Sequence, residues 1–128
     1  MKKTLKFAAV FVPALLLLLL TSCAKPTHQV YFKVTGVSNS TQIDYAIYSD
    51  NGLLASTLES ADTTETVLPW TTETMTVSEG QVGNIIVTID DTTTLSPYVT
   101  VMIYSDGSIV KSASCSGNYS SASARITF

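Results

Sequence analysis

The chain has 128 residues, 45% of them hydrophobic and only 13% charged, with a formal net charge of −3. That is the length of one domain, and its two Cys and one His exclude the usual zinc sites and leave little material for nucleophilic catalysis. Beyond residue 22, four basic residues face ten acidic ones, a net of −6, which excludes the basic footprint that nucleic-acid binding needs.

The first element is an address. Lys2, Lys3 and Lys6 make a positive start, and residues 7–20 are an unbroken apolar run of 14, with Pro13 inside it. Crossing a bilayer as a helix takes about 20 apolar residues. The shorter run suits the apolar region of a secretory signal. Leu20-Thr21-Ser22-Cys23 follows. It resembles the lipobox of bacterial lipoproteins, an apolar residue and two small ones before an obligatory Cys. The resemblance implies that the Cys23 thiol takes a diacylglycerol and that its amine, freed by cleavage, takes a further acyl chain such as palmitate. One chain holds marginally and two or three hold stably. An uncleaved short anchor with an incidental Cys is the competing reading, but it leaves the agreement of start, length and tetrapeptide unexplained. Ala24 stands after the Cys where a retention signal would place Asp, and Ala24-Lys25-Pro26-Thr27 holds no acidic cluster. The expectation is a lipid-anchored protein of the bacterial envelope, in the outer membrane and facing the periplasm.

The boundaries expected are a signal peptide at 1–22, acylated Cys23 with a short tether to residue 29, and a folded domain at 30–128. Residues 24–29, with Pro26 among them, reach at most roughly 20 Å at 3.3–3.6 Å per residue. From Val30 the pattern alternates. Val30, Phe32 and Val34 face one way, Tyr31, Lys33 and Thr35 the other, and Gly36 is expected to end the strand. Ile43, Tyr45 and Ile47 alternate with Asp44, Ala46 and Tyr48. Asp50-Asn51-Gly52 is a hairpin signal, because Asn and Gly tolerate positive φ. Residues 54–58 read as the returning strand and 60–66 as a polar loop. Residues 71–79 form a strand with Met75 and Val77 on one face. Residues 82–89 follow, with Ile85, Val87 and Ile89 inward, then a loop at 90–97. Residues 98–104 put Val99, Val101 and Ile103 on one face. Asp106-Gly107 is a second hairpin signal, and strands at 109–115 and 122–128 complete the chain. Short strands at such even spacing, with turn chemistry between them, predict an all-β fold. The expectation is a small Ig-like β-sandwich of seven or eight antiparallel strands.

Several landmarks stand in order: Tyr31-Phe32-Lys33-Val34-Thr35-Gly36, Ile43-Asp44-Tyr45, Leu68-Pro69-Trp70, Asp106-Gly107 and Ser116-Gly117-Asn118-Tyr119. This order resembles the extracytoplasmic domain of the MmpS family, small mycobacterial membrane proteins that assist large transporters exporting lipids and siderophores. The resemblance implies a small β-sandwich and an accessory role beside a transporter. The chain differs from that family in carrying a lipidation signal in place of a spanning helix, and in having one domain Cys where the family often has a pair.

Candidate chemistry is sparse. His28, the only His, falls in the expected tether. Cys115 has no His partner in sequence and reads as a half-buried structural thiol. Asp90 and Asp91 read as solvated loop charge, since adjacent strand residues face opposite ways and calcium-loop spacing is absent. Asp62-Thr63-Thr64 and Asp91-Thr92-Thr93 resemble acceptors of periplasmic O-glycosylation, triplets also common by chance. Trp70 reads as a core plug set by Pro69. Tyr48, Tyr98, Met102 and Tyr104 hold outward phases and form the candidate partner face if one sheet gathers them; the competing view is that Tyr simply suits strands.

Three functions compete. A non-enzymatic accessory lipoprotein binding another envelope component, such as a transporter, leads; the net charge of −6 suggests a basic patch on that partner. A glycan- or lipid-binding module using the aromatic face is second. An enzyme is third, for want of an acid–base constellation, and no cofactor or metal is expected. Lipidation is directly testable: Cys23→Ala should abolish incorporation of labelled fatty acid, and undiminished labelling would remove Cys23 as the acceptor.

Overall fold

The computed structural model describes residues 24–49 and 68–128. The expected signal peptide, Cys23, the hairpin at 50–52, the strand at 54–58 and the loop at 60–66 lie outside the described residues. Within them the chain forms β1 (Thr27–Val37), β2 (Thr41–Ser49), β3 (Trp70–Thr71), β4 (Met75–Ser78), β5 (Gln81–Ile89), β6 (Tyr98–Ser105), β7 (Ser108–Ser116) and β8 (Ser121–Thr127). All pairings are antiparallel. One sheet has the order β3-β1-β6-β7, with β4 also on β1, and the other has β2-β5-β8. The two sheets pack face to face without closing, which makes a β-sandwich.

Alternation sets which residues meet between the sheets. Val30, Phe32 and Val34 from β1 and Val99, Val101 and Ile103 from β6 are wholly buried. Ile43 and Ile47 from β2, Ile85, Val87 and Ile89 from β5, and Ala122 and Ala124 from β8 face them. Most of these side chains are β-branched and fit a pleated surface. Phe32 is the largest fully buried one. Its ring meets Tyr45 at a centroid distance of 5.4 Å, and Tyr45 in turn meets Trp70 at 5.5 Å. Gly83 stands opposite because there is no room for a side chain: a Cβ there would lie 2.8 Å from the Phe128 ring and 3.5 Å from Phe32.

Three expected boundaries are corrected by pairing. β1 begins at Thr27, so Thr27, His28 and Gln29 belong to the sheet, where they pair with Ser78, Val77 and Thr76. The expected domain start at residue 30 therefore falls inside the first strand. At its other end β1 runs through Gly36 to Val37. Gly36 has φ 147°, and a Cβ there would stand 2.1 Å from the Tyr98 carbonyl oxygen; the absence of a side chain lets β1 stay against β6.

The expected single strand at 71–79 is two short ones. Val34 pairs with Trp70, whereas Val30 pairs with Met75. Four steps along β1 thus face five along the edge. One extra residue reverses the in–out phase, so Trp70 and Met75 both face the core. At the step, the Phe32 N–H donates to Thr72 Oγ1 at 3.0 Å and the Thr72 N–H to the Phe32 carbonyl at 3.0 Å. The Asp106-Gly107 hairpin forms as expected, with φ of 50° and 81°, the positive values a two-residue turn requires.

Truncating the ring at the centre of this packing, Phe32→Ala, should cost about 3–5 kcal/mol in urea-unfolding free energy, the usual loss for a buried Phe. A loss near zero would mean that the sheets do not pack on Phe32.

Candidate functional site

The outer surface of the five-stranded sheet carries a stacked pair of aromatic rings. Tyr31 on β1 lies directly across from Tyr104 on β6. Their rings stack, with centroids 4.4 Å apart and planes 10° from parallel. Lys33 lies across from Met102, two residues further along both strands, and the Tyr104 hydroxyl approaches the Met102 sulfur at 3.9 Å. On the far side of β6, Tyr104 pairs with Ile109 of β7, whose side chain is 54% exposed. Tyr31, Lys33, Met102 and Tyr104 are each half-buried. None of the five strands of this sheet contains Asp or Glu, while β1 holds Lys33 and β7 holds Lys111. Among the described residues, the acidic side chains lie outside these strands.

Three of the four residues expected to share one face do so. Tyr98, Met102 and Tyr104 hold the same outward phase on β6, with Met102 beside Tyr104 and Tyr98 at the far end of the strand, six residues or roughly 20 Å away at strand rise. Tyr48 is on β2 of the other sheet, where the Arg125 guanidinium sits 5.7 Å from its ring centroid. Tyr31 takes the place expected for Tyr48. Its outward phase was legible in the alternation; its pairing with Tyr104 depends on β1 lying beside β6, which no local pattern reports.

Two carboxylates clasp the ends of the sandwich. Asp91 is 1% exposed, which corrects the expectation of solvated loop charge. It accepts from the Asn39 N–H at 2.5 Å, the Thr93 N–H at 2.8 Å, the Thr94 N–H at 3.1 Å, the Thr93 hydroxyl at 2.8 Å, the Ser38 hydroxyl at 3.4 Å and the Thr94 hydroxyl. The β1–β2 turn and the β5–β6 loop are thereby bound to one group. The Asn39 N–H, above all, together with these hydroxyls and the further amides holds the Asp91 carboxyl far below the usual carboxylate range. Within the Asp91-Thr92-Thr93 triplet, Thr93 Oγ1 also accepts from Asn39 Nδ2 at 3.1 Å. Asp62-Thr63-Thr64 lies outside the described residues.

Asp106 makes the second clasp, at the β6–β7 hairpin. Oδ1 accepts from the Gln29 N–H at 2.9 Å and Oδ2 is 2.8 Å from His28 Nδ1. The Gln29 amide first, and His28 next, lower the Asp106 carboxyl. His28 is thus built into β1 rather than left in a tether, with its ring 6.0 Å from that of Phe128. Cys115 is half-buried, as expected, and packs at the margin of the core; burial raises its thiol pKa and keeps it protonated. Trp70 is partly buried against the core.

No family model matches the chain, and no curated protein matches it. What the structure shows is the architecture, an all-β fold of two sheets.

Both clasps tie folding to acid. A carboxyl lowered in the folded state stabilises it fully above the ordinary value of 3.8, and that stabilisation is lost as pH falls toward the folded value. Thermal midpoints should therefore drop as pH is taken below about 4. Asp91→Asn should lower the midpoint at pH 7 and flatten the acid dependence. A variant with the wild-type slope would show that Asp91 does not carry this effect.

Proposed function

We propose that this chain is a lipid-anchored accessory lipoprotein of the bacterial envelope, acting by binding and not by turnover. In this reading Cys23 holds it to the bilayer, in the outer membrane with the domain toward the periplasm. The outer face of the five-stranded sheet receives another envelope protein. The observation that carries the reading is the Tyr31–Tyr104 stack with Met102 and Ile109, on a sheet whose strands contain no acidic residue. Aromatic and Met side chains with few charges are the composition of interface centres. The position supports it too. Tyr31 is eight residues beyond Cys23, at most roughly 28 Å of chain, so the partner would meet this face close to the membrane. A transporter as that partner is what the resemblance of the ordered landmarks to the MmpS family implies, Tyr31 and Lys33 being among them.

A photo-crosslinking residue at Met102 should capture a membrane-associated protein in the native envelope, and one at Arg125, on the opposite sheet, should not. Tyr31→Ser with Tyr104→Ser should then reduce capture by roughly tenfold or more, the weight of an interface aromatic pair, while the circular dichroism stays that of a β protein. Equal capture from both positions, or none from Met102, would remove this face as the binding surface.

A further inference from the structure

A second surface lies at the opposite end of β1 from Thr27, about 33 Å away at strand rise. Residues 94–97 of the β5–β6 loop, Tyr98 at the start of β6 and residues 116–118 at the end of β7 enclose a shallow groove of about 560 Å³. That volume is within the roughly 300–1,000 Å³ of small-molecule sites. Every residue lining it is uncharged. Tyr98 is 50% exposed, and Leu95 is fully exposed at the rim. The side chains of Ser96, Ser116 and Asn118 make no hydrogen bond among the described residues. The groove thus presents a ring face, two hydroxyls and an amide, all unengaged.

The walls are fixed before anything binds. The Gly117 N–H donates to the Pro97 carbonyl at 2.8 Å, joining one wall to the other. The Ser120 hydroxyl donates to the Ser116 carbonyl at 2.8 Å. The Asp91 carboxylate takes the Thr93 and Thr94 N–H groups and holds the start of the loop. A braced groove loses little entropy on binding.

These features select a ligand class. A charged ligand would leave water and find no counter-charge, which is costly. A purely apolar ligand would strand the two hydroxyls and the amide. An uncharged saccharide satisfies both demands, since its ring has an apolar C–H face for the Tyr98 ring and hydroxyls all round for Ser96, Ser116 and Asn118. We propose that this groove is a binding site for an uncharged saccharide, with Tyr98 as the stacking platform and Asn118 as the chief hydrogen-bonding side chain. It lies at the far end of the same sheet, roughly 20 Å along β6 from the Tyr31–Tyr104 pair, and rests on different residues.

The test uses the full chain in lipid nanodiscs, titrated with maltotriose in one arm and chitotriose in the other, and followed by amide chemical shifts. Saturable shifts confined to Ser96, Tyr98, Gly117 and Asn118 are expected, and the tighter arm tells a plain glucan from an amino sugar. Tyr98→Ala should weaken binding about tenfold, the loss of one aromatic contact. Asn118→Ala, at an exposed position, should weaken it several-fold without touching the fold. Lys33→Ala should leave it unchanged. Absence of saturation with both sugars overturns the proposal. So do shifts centred on Tyr31 and Tyr104, or undiminished affinity in both groove variants.

Discussion

Phe32 is the largest side chain fully buried between the two sheets, and much of the architecture accommodates it. Gly83 leaves its own side-chain space to Phe128 and Phe32. Tyr45 tilts against one side of the ring, and Trp70 covers Tyr45 in turn. The backbone of Phe32 is bonded on both its N–H and its carbonyl to Thr72, where the edge strand gains its extra residue. That extra residue is what allows Trp70 and Met75 to face inward together. The ring and the phase reversal are one device, since in a continuous strand one of those two apolar side chains would have to face solvent.

The ends of the sandwich are held differently, by charge. A carboxylate at each end gathers backbone N–H groups that no strand pairing satisfies, with Asp91 at the β1–β2 turn and Asp106 at the start of β1. Ionised carboxylates make stronger hydrogen bonds than neutral acceptors, so a short loop can be fixed without a core of its own. The consequence reaches both candidate surfaces. Asp106 sets the β6–β7 hairpin on which Tyr104 and Ile109 are carried. Asp91 sets the loop that forms one wall of the Tyr98 groove. Acid should loosen both together, since each rests on a carboxylate that must stay ionised.

Among the described residues, acids are scarce within the strands. β2 carries Asp44, but the five-stranded sheet has none in its strands. A net charge of −6 beyond residue 22 thus coexists with five strands that hold Lys33 and Lys111 and no acid.

The all-β class, the inward residues of five strands, the Asp106-Gly107 hairpin and the half-buried Cys115 were legible in the sequence, because period-two alternation and turn chemistry are local. The lipobox-like Leu20-Thr21-Ser22-Cys23 is likewise a property of contiguous residues. Phase along a strand says which face a side chain takes, but not which sheet that face belongs to or how far apart two residues of one strand lie. For that reason Tyr48 read as one group with Tyr98, Met102 and Tyr104, whereas strand order sends Tyr48 to the other sheet and leaves the other three on one face, with Tyr98 and Tyr104 at its two ends. The role of Asp91 was invisible for the same reason. Its strongest donor, the Asn39 N–H, is 52 residues away, and only the tertiary structure brings that turn to the carboxylate, changing a charge that reads as solvated into one that is buried and bonded.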